Sequence, residues 1–209
     1  MPYISSIYYI LELVQHPFEG QIDSFVEPAP TLKLTAYNAL GAINPDDIQI
    51  SNLIAVAYII NLQDDNNEEA NSICNNTNTR KKSASKKSRT KFNKEKLYDY
   101  CIETPYKLMD LQNRNGIYFV FSELNIPKCG MYKIRYRVFD VTSPRLLTFD
   151  GEKLYPLDEI ESNQIAIYST EFPIRKNEPN ALSIWLNGQI TWHWLKLLDE
   201  KIAKLNFVL

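Results

Sequence analysis

The segment MYKIRYRVFDV, Met131 to Val141, constrains the fold of this chain more than any other. Tyr132, Ile134, Tyr136 and Val138 fall on one side of a two-residue period, and Lys133, Arg135 and Arg137 on the other. Only an extended strand sends alternate side chains to opposite faces, so the segment predicts a strand with one buried and one polar face. Ile117 to Phe121, just before it, is apolar, and Pro127-Lys128-Cys129-Gly130 supplies a turn between the two. Tyr8 to Val14 alternates at Leu11, Glu12 and Leu13 and is ended by Pro17, which has no amide hydrogen for a ladder. Leu32, Leu34 and Ala36 share one face of a further strand, with Lys33 and Thr35 on the other. Leu53 to Leu62 is apolar enough for burial on both faces, and Gln164 to Tyr168 is short and strand-like. Thirteen Tyr and nine Phe against six Gly favour strands over a Gly-rich cofactor-binding α/β domain. Strands divided by turns, with few helices between them, indicate an all-β sandwich or barrel.

Helices are expected only near the C-terminus. EPNALSIWLNG has Pro179 at a first helical position and Gly188 just beyond the end. ITWHWLK alternates like a strand, with Ile190, Trp192 and Trp194 on one face. Leu195, Leu198, Ile202, Leu205 and Leu209 then recur at helical spacing. Packing on the sandwich is the default role of so short a stripe, and a partner-binding zipper is the alternative.

Charge is unevenly distributed. Residues 80–96 hold nine Lys/Arg and one Glu, which leaves 23 − 9 = 14 basic and 25 − 1 = 24 acidic residues elsewhere. The net charge of −2 therefore joins a mildly acidic body to one strongly basic segment. Residues from about 63 to about 96 read as a disordered polar and basic insertion that interrupts a single domain spanning 1–209. Arg80, Lys81, Lys82, Lys86, Lys87 and Arg89 resemble a nuclear localisation signal and suit phosphate contact; a solvated loop without a partner is the alternative.

The chemistry-bearing residues are sparse. His16 and His193 have no second ligand at metal spacing, and Cys74, Cys101 and Cys129 form no CxxC pair, so neither a metal nor a cofactor is expected. Three widely spaced cysteines fit a reducing compartment better than a disulfide framework. No P-loop, GxGxxG, GxSxG or HExxH occurs, and nothing points to an enzyme or a small-molecule substrate. The longest apolar run, Leu53 to Ile60, is too short for a membrane span, and the N-terminus lacks the basic region of a signal peptide.

Several stretches together resemble the velvet domain of fungal developmental regulators. LELVQHP supplies that family's Gln-x-Pro in Gln15 and Pro17, and VEPAPTLKL supplies Pro28, Pro30 and alternating leucines. The richest similarity lies in Pro105 to Val141, through Tyr106, Leu108, Asp110, Leu111, Gly116, Phe119, Val120, Phe121, Leu124, Gly130, Tyr132, Arg135 and Phe139. IYSTEFP and NALSIWLNG resemble the family's late strand and short helix. The resemblance implies an immunoglobulin-like sandwich related to the Rel-homology domain, with a short helix or helices near the C-terminus. It also implies a nuclear, shuttling transcription regulator of sporulation and secondary metabolism. Such a protein acts as a homo- or heterodimer of velvet proteins, binds DNA alone or with a partner, and has no enzymatic activity.

Two departures from the family pattern bear on function. DNA-binding members carry basic residues in the loop after the first strand, where this chain reads FEGQIDSFVEP, with Glu19, Asp23 and Glu27. The final strand, basic in the family, reads ITWHWLK. Lys133, Arg135 and Arg137 are the candidate DNA contacts on a strand, since alternate residues lie about 7 Å apart, near the phosphate repeat. A polar solvent face is the default for such a stripe. The other class is an interaction module without DNA contact, using Trp185, Trp192, Trp194, Leu198 and Ile202 to bridge regulators. A third class, an unrelated sandwich that binds a small ligand, would show a deep apolar pocket.

Overall fold

The computed structural model describes residues 7–62, 96–142, 155–169 and 179–191. In chain order the strands are β1 (Tyr8–Gln15), β2 (Glu19–Gln21), β3 (Thr31–Asn38), β4 (Gly41–Ala42), β5 (Leu53–Asn61), β6 (Lys96–Glu103), β7 (Tyr106–Met109), β8 (Asn115–Val120), β9 (Gly130–Asp140), β10 (Asp158–Glu161) and β11 (Ile165–Tyr168). One helix, α1 (181–191), comes after them. The first sheet runs β1-β3-β8-β7 with β4 beside β3, and the second runs β2-β11-β9-β5-β6 with β10 beside β9. The fold is an all-β sandwich with a short helix near the C-terminus, as the alternating segments require.

Six of the seven stretches read as strands are strands, β1, β3, β5, β8, β9 and β11, and the seventh, ITWHWLK, begins in the helix. Strands β2, β4, β6, β7 and β10 are short or polar and carry little periodicity. Lys96, read as the end of the insertion, opens β6 instead. The rest of that insertion, including Arg80, Lys81, Lys82, Lys86, Lys87 and Arg89, lies outside the described residues.

The core is built from the inner faces of both sheets. Tyr132, Ile134, Tyr136 and Val138 of β9 are fully buried, as their spacing demands. Opposite them on β5 stand Ile59, Ala57 and Ala55, paired with Ile134, Tyr136 and Val138. The small alanines leave room for the tyrosine ring, which meets Phe121 at 5.3 Å between centroids. Leu11, Leu32, Leu34, Ile117 and Phe119 close the core from the first sheet.

A second apolar cluster lies on the outer face of the first sheet, where α1 sits. Leu182, Leu186 and Ile190, spaced by one helical turn each, pack against Val14, Tyr106, Leu108 and Tyr118. The register of β1 explains how that face is reached. Leu13 pairs Leu32, but Gln15 pairs Thr31, so Val14 is a bulge. One extra residue reverses the facing of the strand beyond it, and Gln15 turns to the outer face beneath the helix. Its buried carboxamide oxygen accepts the Asn180 N–H (2.8 Å) and the Ser183 hydroxyl (3.0 Å). Asn180 caps the helix, its side-chain oxygen accepting the Ser183 N–H at 2.8 Å, and its amide donates to Val14 O at 2.9 Å.

The cap corrects the sequence-based helix boundaries. Ala181, capped by Asn180, is the first helical residue in place of Pro179, and the helix continues through Gly188 to 191. Tertiary contacts outweigh the glycine here: the Gln189 carboxamide accepts the Met109 N–H (2.9 Å) and donates to Met109 O (2.8 Å). Ile190 and Thr191 are therefore helical, not the start of a strand, and the remainder of ITWHWLK lies outside the described residues.

The β7–β8 hairpin turns on Asp110. Its carboxylate accepts the backbone N–H groups of Gln112 and Arg114 and the Arg114 guanidinium, with Asn113 in the left-handed region at φ 58. The Arg114 hydrogen bonds hold the Asp110 carboxyl below the usual carboxylate range. Cys101 is free and Cys129 is disulfide-bonded, although the odd count pointed away from a disulfide framework. One bridged cysteine is not the dense stapling that defines such a framework.

Candidate functional site

The alternation of β9 places Lys133, Arg135 and Arg137 on the outer face of the second sheet. Neighbouring strands complete that face in rows. On one side β10 sets Glu159 opposite Arg137 and Glu161 opposite Arg135. On the other, β5 sets Val56 opposite Arg137 and Tyr58 opposite Arg135, and β6 adds Ile102 and Tyr100 beyond them. The face thus grades from acidic through basic to aromatic and aliphatic. Arg137 lies over the Tyr58 ring at 5.5 Å, and Tyr100 and Ile102 are exposed.

The cations are already engaged. Arg137 Nε meets Glu159 at 2.8 Å, Arg135 meets Glu161 at 2.6 and 2.8 Å, and Lys133 stands 3.7 Å from Glu161. Three positive and two negative charges leave this stripe at 3 − 2 = +1. Exposed pairs of this kind each contribute about 0.2–1 kcal/mol, so they set the field of the face more than its stability. Sequence reasoning found the basic residues and missed their acidic partners. The signal was present in Glu159 and Glu161, whose two-residue spacing complements that of Arg135 and Arg137.

The other candidates are dispersed. Trp185 lies on α1, 43% exposed, and donates its indole N–H to Met109 O at 2.9 Å. Trp192, Trp194, Leu198 and Ile202 lie outside the described residues. The structure brings Lys133, Arg135 and Arg137 together and joins none of them to Trp185. Among the described residues no group of three His, Cys, Asp or Glu side chains is arranged to hold a metal ion, and no helix is long and apolar enough to cross a membrane.

At the far edge of the second sheet, Glu103 sits half-buried on β6. Its carboxyl is pushed up to about 7, first by burial and then by the nearby charge of Glu123. Burial likewise pushes the Cys101 thiol up, with Glu103 adding to it, which makes that cysteine a poor nucleophile. Because the folded state holds the Glu103 proton more tightly than the unfolded chain, stability falls as pH rises from about 4.5 to about 7 and stays reduced above. The expected result is a Tm difference between Glu103→Gln and the parent that grows in favour of the variant across that window. Parallel Tm-versus-pH curves would show that Glu103 titrates alike in both states.

The sequence profile of the velvet factor family matches residues 97–189. Over that segment the chain is similar to the velvet family. A search of curated proteins finds no match. The velvet segment runs from β6 into α1 and contains the Asp110 turn, Gly116, the whole of β9 and the glutamates of β10. Strands β1 to β5 precede it, yet β1 and β3 complete the first sheet and β5 lies between β6 and β9 in the second.

Proposed function

We propose that this chain is a velvet-family nuclear transcription regulator of development, sporulation and secondary metabolism, shuttling from the cytoplasm and lacking enzymatic activity. It acts as a homo- or heterodimer with other velvet proteins and touches DNA weakly unless a partner is present. The velvet match over residues 97–189 supports the setting. One observation carries the mode: the cation stripe of β9 has the spacing of a phosphate-tracking surface, but its arginines are held by Glu159 and Glu161. The loop after β1 adds no cation, since residues 18–28 contain Glu19, Asp23 and Glu27 and neither Lys nor Arg.

A second reading, an interaction module that bridges regulators without touching DNA, draws on apolar exposure. Tyr100 and Ile102 on the second sheet, and Ile184 and Trp185 on α1, are the aromatic and aliphatic side chains that interfaces favour.

An electrophoretic mobility shift on genomic fragments separates the two. The purified chain is expected to shift DNA at low salt and to lose the shift at physiological salt, because weak binding through phosphate contacts falls further as salt rises. A shift that disappears when residues 80–96 are deleted places the contact in that segment, and one that survives deletion places it on β9. A shift that persists at physiological salt overturns weak binding by the lone chain. No shift at any salt favours the interaction module.

A further inference from the structure

We propose that the outer face of the second sheet is a binding site for the duplex-DNA backbone covered by its own acids, with Glu159 and Glu161 standing on Arg137 and Arg135 where phosphates would stand. This deepens, and rests on, the reading of the chain as a regulator that contacts DNA. Three features of the face carry it.

The first is register. Arg135 and Arg137 project from the same side of one strand, and Glu161 and Glu159 lie directly opposite them on β10. Each arginine therefore faces one carboxylate at 2.6–2.8 Å, and the carboxylates repeat with the same two-residue step as the cations. Two anions at that step, about 7 Å apart, stand in for successive phosphates of one DNA strand.

The second is exposure. The side chains of Glu159 and Glu161 are 50% and 38% exposed, against 33% and 22% for Arg137 and Arg135. Water already reaches both sides of each pair, so exchanging a carboxylate for a phosphate requires no opening of the core. Exposed pairs contribute little to stability, and their loss leaves the sandwich intact.

The third is the way β10 is held. Its backbone is paired with β9, Leu157 N–H donates to Val138 O at 2.7 Å, and Asp158 accepts the Leu11 N–H at 2.7 Å. After β10, Ser162 N–H donates to Ile134 O, and its hydroxyl accepts the Ile134 N–H. None of these anchors uses the side chain of Glu159 or Glu161. The acids can be neutralised while the strand stays in place, as a cover separable from its scaffold requires.

The test uses the full chain and a short labelled duplex of random sequence, followed by fluorescence anisotropy from low to physiological salt. Glutamine keeps the shape and an acceptor oxygen while removing the charge. The double variant Glu159→Gln/Glu161→Gln is expected to bind about tenfold more tightly at low salt. Its log K against log salt should steepen by about 1.8, from roughly 0.9 for each of two added phosphate contacts. Adding Arg135→Gln and Arg137→Gln should return affinity and slope to the parent's level. If the double variant fails to fold by thermal unfolding, the single variants serve, each with about half the steepening.

An unchanged slope in a folded variant, while the parent binds in a salt-sensitive way, overturns the cover and leaves the DNA-contacting reading standing. A gain that survives loss of both arginines also overturns the cover, since that variant has the parent's net charge and lacks the cations said to be uncovered. No binding by the parent or by any variant overturns both.

Discussion

Gly116→Ala is expected to destabilise the protein by a net of about 1–2 kcal/mol, read as a lower denaturant midpoint with an unchanged slope. A Cβ on Gly116 would stand 2.6 Å from Cε2 of Tyr118 and 3.0 Å from its Cζ and hydroxyl oxygen. The ring leans back along β8 over the residue two positions before it. It cannot swing away, because Tyr118 is fully buried and packed against Leu108 and Leu186. Overpacking of this kind costs about 1–3 kcal/mol, partly offset by about 0.4–1 kcal/mol from a stiffer unfolded chain. The substitution should cost little in a Tyr118→Leu background, because the obstructing ring is gone. A cost that stays the same there, in a double-mutant cycle, would place the strain elsewhere.

Gln15→Leu is expected to have a larger effect, about 2–4 kcal/mol, through the loss of a buried acceptor shared by two donors. Gln15 is 4% exposed, and its oxygen takes both the Asn180 N–H and the Ser183 hydroxyl at the start of α1. Leucine is close to it in volume but leaves the buried Ser183 hydroxyl and the part-buried Asn180 N–H without that partner. Adding Ser183→Ala removes one orphan and should recover part of the loss. Hydrogen exchange gives the specific readout: amides of α1 should lose protection before those of β5 and β9, as the helix detaches ahead of the sandwich. Uniform loss of protection would mean that Gln15 supports the whole fold and not the helix alone.

The strands that the sequence revealed are those whose burial is periodic or continuous. β9 declares itself through four buried and three charged side chains in alternation, and β5 through an unbroken apolar run. β10 and β7 do not, since each has four residues and a polar or mixed face. Their existence depends on neighbours supplied by distant parts of the chain. The same division holds for the candidate face. Arg135 and Arg137 were visible because their own strand is regular, whereas Glu159 and Glu161 acquire meaning only from the pairing of β10 with β9. Gln15 and Asp110 stood out only as parts of a family resemblance. The structure supplies their physical reasons: one anchors a helix and the other closes a hairpin.

The hydrogen bond between Gln15 and Asn180 joins residues 165 positions apart. At 5–20 residues per second, the ribosome finishes the second partner roughly 8–33 s after the first. Until then the outer face of the first sheet, with Val14, Leu108 and Tyr118, lacks the helix that shelters it. A nascent chain of this protein thus carries a bare apolar patch from the making of Tyr118 until α1 follows, a surface for chaperones to hold and for aggregation to exploit.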